Sequence, residues 1–254
     1  MSKTVRVRNL VIGEGKTKVI VPIVGKTREE IVEKGASFKN YAIDMVEWRV
    51  DFYEDVFDTE KLIETAKQLR AALGEEMPLL YTFRTANEGG EKAIDAAKYT
   101  ELNKAIAESG AVDLVDVEIF SGDDVVRENI DAIHEAGCLV IGSNHDFHKT
   151  PEKDELVRRL TKMSDMGADI PKIAVWPQSR ADVLTLFAAT VEADDSIDRP
   201  LITMSMSPTG VISRLAGEVF GSAMTFGMVG KASAPGQIPV EELQEVLGVL
   251  HNSL

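Results

Sequence analysis

A single cysteine, Cys138, in 254 residues excludes an intrachain disulfide and agrees with a reducing compartment. It precedes the apolar run LVIG, where it reads as a small buried hydrophobe rather than a nucleophile. Long hydrophobic runs are missing, so no membrane partner is expected. The opening MSKTVRVRNLVIGEG alternates charged and aliphatic residues and lacks the apolar stretch of a secretory signal, which makes the cytoplasm the expected location. Basic charge is also scarce. Lys and Arg number 28 against 42 Asp and Glu, and the formal charge of −14 argues against nucleic acid as the main partner. An anionic small molecule would need a local basic pocket. Several motifs are absent as well: there is no GxSxG elbow, no HExxH and no GxGxxG. GEGKT at Gly13 and VGKT at Val24 resemble the tail of a phosphate loop, but Leu10 and Ile20 stand where its first glycine is required.

What the chain does have is repetition. Eight apolar, β-rich runs recur: Val19 to Gly25, Ala42 to Asp51, Pro78 to Arg84, Leu114 to Phe120, Cys138 to His145, Ile170 to Trp176, Pro200 to Ser207 and Met224 to Gly230. Amphipathic helical patterns separate most of them, among them TEKLIETAKQLRAAL from Thr59, AAKYTELNKAIAES from Ala96 and PEKDELVRRLTKM with Pro151 at the helix start. Strand alternating with helix means a parallel sheet, and eight repeats at this length favour closure into an eight-stranded parallel α/β barrel over an open, doubly wound sheet. VRVRNLVIGEG reads as a hairpin, turning through Asn9 or Gly13, that could close the bottom of the barrel. No linker or repeat divides residues 1–254, so one domain is expected.

The two-residue period of a strand sorts these runs into faces. Val46, Trp48 and Val50 alternate with Glu47, Arg49 and Asp51; Leu79, Tyr81 and Phe83 with Thr82 and Arg84; Val115, Val117 and Ile119 with Asp116 and Glu118. Ile141, Ser143 and His145 share one face of the fifth run, and Lys172, Ala174 and Trp176 one face of the sixth. In a barrel the polar face must point inward. On any single strand a solvated edge or a structural ion pair would explain it, but five consecutive strands imply a compensated charge network around a site.

A lysine attacks carbonyls only as the neutral amine, which requires lowering a reference pKa of about 10.4. Lys172, mid-strand in DIPKIAV, suits this best, although a structural pairing with Asp116 or Glu118 explains these features equally well. His145, at the end of the neighbouring run, could face the same cavity and move protons. His148 lies three residues on and should point to the opposite side, which disfavours a bidentate metal site. His134 and His251 fall on amphipathic helices as surface or structural residues.

Taken together, EWRVD at Glu47, FRTANEGG at Phe83, SNHDFHKT at Ser143, PKIAV at Pro171, TMSMSPTGVISRLAGEVFGS at Thr203 and KASAPGQI at Lys231 resemble the type I 3-dehydroquinate dehydratases across nearly the whole chain. The resemblance implies an α/β barrel, usually a homodimer, acting in the shikimate pathway with 3-dehydroquinate as substrate and no metal or organic cofactor. It makes Lys172 the imine-forming lysine, His145 the general acid and base, and Glu88 the carboxylate that orients the histidine. It assigns the substrate carboxylate to Arg214, and ring hydroxyls and the same anionic end to Glu47, Arg49 and Arg84. Met204, Met206 and Phe226 would lie against the ring, and KASAPGQIP would close over it through Ser233 and Gln237. Pro22 departs from the pattern, standing where some members carry a substrate-contacting serine. The rival readings are a class I aldolase, which shares the lysine imine, and a barrel kept only as a binding module.

Overall fold

A computed structural model describes residues 3–230 and 234–254. An antiparallel hairpin, β1 (Val5–Val7) and β2 (Leu10–Ile12), leads the chain. The parallel strands follow: β3 (Lys18–Ile23), β4 (Met45–Arg49), β5 (Leu79–Thr82), β6 (Leu114–Glu118), β7 (Leu139–Asp146), β8 (Ile170–Val175), β9 (Ile202–Ser205) and β10 (Met224–Met228). Six of them fall inside the expected runs, and β3 and β7 extend one residue beyond theirs, to Lys18 and Asp146. The two-residue β11 (Ile238–Pro239) adds to β10, giving the order β11-β10-β3-β4-β5-β6-β7-β8-β9. The seam that closes the ring, between β9 and β10, has no full ladder. A parallel bridge joins Leu201 to Ser222, and the Ser222 hydroxyl substitutes for a strand partner by accepting the Thr203 N–H at 3.0 Å.

Helices α1 (Arg28–Ser37), α2 (Thr59–Leu73), α3 (Ala96–Glu108), α4 (Asp123–Glu135), α5 (Lys153–Asp165) and α6 (Arg180–Ser196) each cross from one strand to the next. Short α7 (Ile212–Leu215) and α8 (Gly217–Phe220) stand between β9 and β10, and α9 (Val240–His251) follows β11. Side-chain acceptors start several of them: Thr27 and Glu30 form a reciprocal capping box, and Asp58, Asp95 and Ser179 cap α2, α3 and α6. Pro151 does not start α5 as expected. It stands just before the N-cap Glu152, where its missing N–H also costs no helical bond.

Alternation along the strands separates two cores. Outward residues such as Trp48, Tyr81, Phe83, Val117, Ile173 and Val175 pack under the helices. Inward residues Ile20, Met45, Leu80, Leu114, Ile141, Ile170, Ile202 and Met224 form a layer near the bottom of the ring, and Val5, Val7 and Ile12 of the hairpin pack against it. The hairpin therefore plugs the floor. It turns at Arg8 and Asn9, with Arg8 at a φ of 51°, and the same Arg8 reaches Asp113 at 2.7 Å. Asp113 also pairs with Arg70 at 2.6 Å, which fastens the plug to the barrel wall.

Candidate active site

Two residues above the floor, the inward face becomes ionic. Thr82 Oγ1 donates to Glu47 Oε1 at 3.0 Å. Arg84, almost fully buried, donates to Glu118 Oε1 at 2.9 Å, Ser143 Oγ at 3.0 Å and Asp116 Oδ1 at 2.9 Å. Burial opposes the charge of Asp116, but Arg84 and Lys172 outweigh it and hold its carboxyl below the usual range. The network expected from alternation is therefore present, and its pairings can now be named.

Lys172 Nζ lies 3.2 Å from Asp116 Oδ2, 3.8 Å from Glu47 Oε1 and 4.8 Å from the centre of the Phe226 ring. Glu118 is taken instead by Arg84 and by the Thr85 amide and hydroxyl. Lys172 thus shares Asp116 with a second cation, and its tip lines a cavity of about 220 Å³ at the C-terminal ends of the strands. Ion pair and cavity-facing amine coexist at this position. Arg49 also lines the cavity, clamped by Asp51 through two bonds of 2.8 Å. Asp51 departs from the expected inward face because the chain enters a 3₁₀ turn at Val50–Phe52. There it accepts the Glu91 N–H at 3.1 Å and supports Arg49 from behind.

His145 is the penultimate residue of β7, with Ser143 of the same strand in register with Lys172 on β8. Glu88, in a 3₁₀ turn after β5, is only 8% exposed, so it is not a solvated loop carboxylate. Its Oε2 accepts the His145 backbone N–H at 2.9 Å and bonds Nδ1 at 2.9 Å. Burial, and then Arg84, Lys172 and Arg49, hold the imidazole well below its ordinary pKa. A neutral ring that donates Nδ1–H to a carboxylate keeps its free lone pair on Nε2. Burial, reinforced by Glu118, pushes the Glu88 carboxyl up to about 7, against Arg84 and Asn144.

Arg214 on α7 is 1% exposed and has no carboxylate partner among the described residues. Among the described residues it reaches only the Met204 sulfur at 3.7 Å and the Pro235 carbonyl at 3.0 Å, and its Nε is buried with no partner among them. Burial lowers the guanidinium to about 10, which leaves it charged at neutral pH. A buried, underused cation in a cavity is a seat for an anion. Met204, Met206, Phe226 and Gln237 line the same space. Ser233 lies outside the described residues. Pro22 pairs in register with Glu47 and is not among the cavity-lining residues.

Two participants escaped the sequence reading. Phe147 stacks on His145 with centroids 6.5 Å apart, and its i+2 spacing from His145 was the available signal. Gly89 passes beneath Phe147 so closely that a Cβ would come within 2.4 Å of the ring. The remaining histidines behave as expected: His134 pairs with Asp169, His251 with Glu218, and His148 is exposed. Cys138 is buried, which pushes its thiol up to about 11.

The type I 3-dehydroquinase family profile matches residues 19–253. A 3-dehydroquinate dehydratase of Salmonella typhimurium is 54% identical over 252 residues, covering 99% of this chain and all of that protein. Among solved structures, the type I 3-dehydroquinate dehydratase of Clostridium difficile, with covalent modified comenic acid, is similar at a TM-score of 0.97 and 50% identity over the full length of both chains. The 3-dehydroquinate dehydratase of Geobacillus kaustophilus HTA426 is similar at 0.96 and 38% identity, covering 98% and 97% of the two chains. With these similarities spanning both the ionic layer and its scaffold, the chain belongs to the type I 3-dehydroquinase family.

Proposed function

We propose that the chain converts 3-dehydroquinate to 3-dehydroshikimate, a step of the shikimate pathway, through an imine on Lys172. The observation that carries this reading is the convergence on one cavity of Lys172, a neutral His145 and the underused Arg214. A covalently modified ligand in the Clostridium difficile relative agrees with covalent chemistry.

Arg214 takes the substrate carboxylate, and Glu47, Arg49 and Arg84 hold the ring hydroxyls and the anionic end. The Lys172 amine adds to the ring ketone, the carbinolamine hydroxyl takes up one proton and leaves as water, and the protonated imine remains. That iminium is an electron sink. His145 Nε2 removes a proton from the adjacent carbon, and the electron pair enters the enamine. The enamine then expels the neighbouring hydroxyl, which leaves as water with the proton that His145 returns. Hydrolysis of the protonated product imine consumes one water, releases the proton taken up when it formed and restores the amine, so the net change is loss of one water. Glu88 stabilises the transient imidazolium, and Gln237, with Ser233, closes over the ring.

The same reading makes residues 1–254 one catalytic domain working as a homodimer in the cytoplasm. Among the described residues no helix is long and apolar enough to cross a membrane. Incubation with 3-dehydroquinate alone should produce the ultraviolet absorbance of a conjugated enone. Release of smaller carbon fragments, or no product at all, would contradict the assignment.

A further inference from the structure

Behind Glu88 runs a chain of contacts that the proposed reaction does not use. Asn144, between Ser143 and His145 on β7, points away from the cavity and is 8% exposed. Its Nδ2 donates to Glu88 Oε1 at 3.0 Å, and its Oδ1 accepts from Arg159 Nη1 of α5 at 2.8 Å. Arg159 is itself held in place: Nε donates to Glu155 Oε1 at 2.7 Å, and the guanidinium lies 5.6 Å over the Phe120 ring.

An asparagine amide can turn end for end at little steric cost, and only its neighbours decide which end faces which way. Arginine is donor-only. With Arg159 on one side, the Asn144 oxygen must face α5, and the amide hydrogens must face Glu88. We propose that Asn144, oriented by Arg159, is a positioning residue that presents a fixed donor to Glu88 and so determines which nitrogen of His145 carries the proton. The inference rests on the reading of His145 as the proton-transfer group.

The groups around Glu88 make this donor consequential. Arg84 Nη1 stands 3.8 Å away, His145 bonds the other oxygen, and Glu118 and Asp116 repel the carboxylate from the barrel axis. Beyond Asn144, Asp146 faces Arg159 at 4.0 Å and Glu155 faces it at 2.7 Å. Withdrawing the Asn144 donor leaves Arg84 opposed by two like charges. The proton shared by Glu88 and His145 should then move toward Glu88, turning the imidazole N–H into the cavity and removing the base.

The test is ¹⁵N NMR of histidine-labelled full-length protein from about pH 5 to about pH 9, reading the His145 tautomer without substrate. In the unaltered protein Nδ1 should carry the proton above the titration near 7 expected for Glu88. Asn144→Leu should move that transition upward by about one pH unit, the effect of one lost bond to a charged group. Arg159→Met, on a partly exposed helix, should move it less, and Arg159→Lys should restore it because an ammonium can also donate to Oδ1. The acidic limb of kcat should follow the NMR transition, while borohydride trapping on Lys172 stays unchanged. An identical His145 transition in Asn144→Leu and Arg159→Met would overturn the positioning role. Shifted transitions in a protein that fails to dehydrate 3-dehydroquinate would uphold the positioning and overturn the catalytic reading instead.

Discussion

The barrel interior holds two layers built by the same strands two residues apart. On β4, Met45 lies in the floor and Glu47 above it; on β6, Leu114 and then Asp116; on β8, Ile170 and then Lys172. The floor is branched aliphatic and methionine, sealed by the hairpin, and it stabilises through burial of apolar area. The upper layer gathers buried charges that would each cost several kcal/mol unpaired, and it is held by cross-strand partners such as Arg84 with Asp116 and Glu118. One end of the ring makes the molecule stable. The other spends stability to keep an amine, an imidazole and a guanidinium facing an open space.

Substitutions can test that division. Lys172→Met should lower turnover by about 10⁴-fold or more and abolish trapping, since the proposed imine would have no other cavity-lining lysine among the described residues to form on. His145→Ala should lower kcat by about 10³-fold while leaving imine formation intact, and a variant with full activity would refute the acid–base role. Leu114→Ala, in the floor, should cost about 3 kcal/mol of stability in denaturant unfolding with kcat per folded molecule unchanged. If it instead disabled chemistry, the layers would not be separable. Arg214→Leu should lower kcat/KM by about 30-fold, chiefly through KM, yet raise the unfolding midpoint, because it removes a buried guanidinium that lacks a full set of partners.

The smallest effect concerns pH. Glu88 is raised from an ordinary 4.5 to about 7, so the proton it retains contributes stability fully below 4.5, and that contribution is lost as the pH rises through about 7. His145 acts in the opposite sense. Its depressed pKa gives a contribution present above its ordinary value of 6.5 and lost as the pH falls. Glu88→Gln should therefore flatten the decline in thermal midpoint between 4.5 and about 7, and an unchanged decline would place its origin elsewhere.

The inward and outward faces were legible in the sequence because strand alternation is a local property: Glu47, Trp48 and Arg49 declare their faces by position alone, whereas the floor of Met45 and Leu114 shares the parity of the ionic residues above it. Eight runs and their spacing likewise carried the barrel. The pairings were not legible, since Arg84 finds Asp116 and Glu118 through the register of three strands, which no local pattern encodes. Asp51 left its expected face because a 3₁₀ turn interrupts the period at Val50. Ser222, which closes the ring with a hydroxyl rather than a ladder, has no sequence signature. Asn144 and Arg159 meet only after α5 packs beside β7. Glu88 reads as a loop carboxylate by position, and only the family motif marks it, because its burial depends on the packing of β7 and Arg84 around it.

In the proposed reaction the upper layer presents one lysine to a ketone. Borohydride reduction in the presence of 3-dehydroquinate, followed by peptide mass mapping, tests it most directly. One adduct per chain is expected, on the peptide containing Lys172; an adduct on a different lysine, or none from an enzyme that still turns over, would refute the imine.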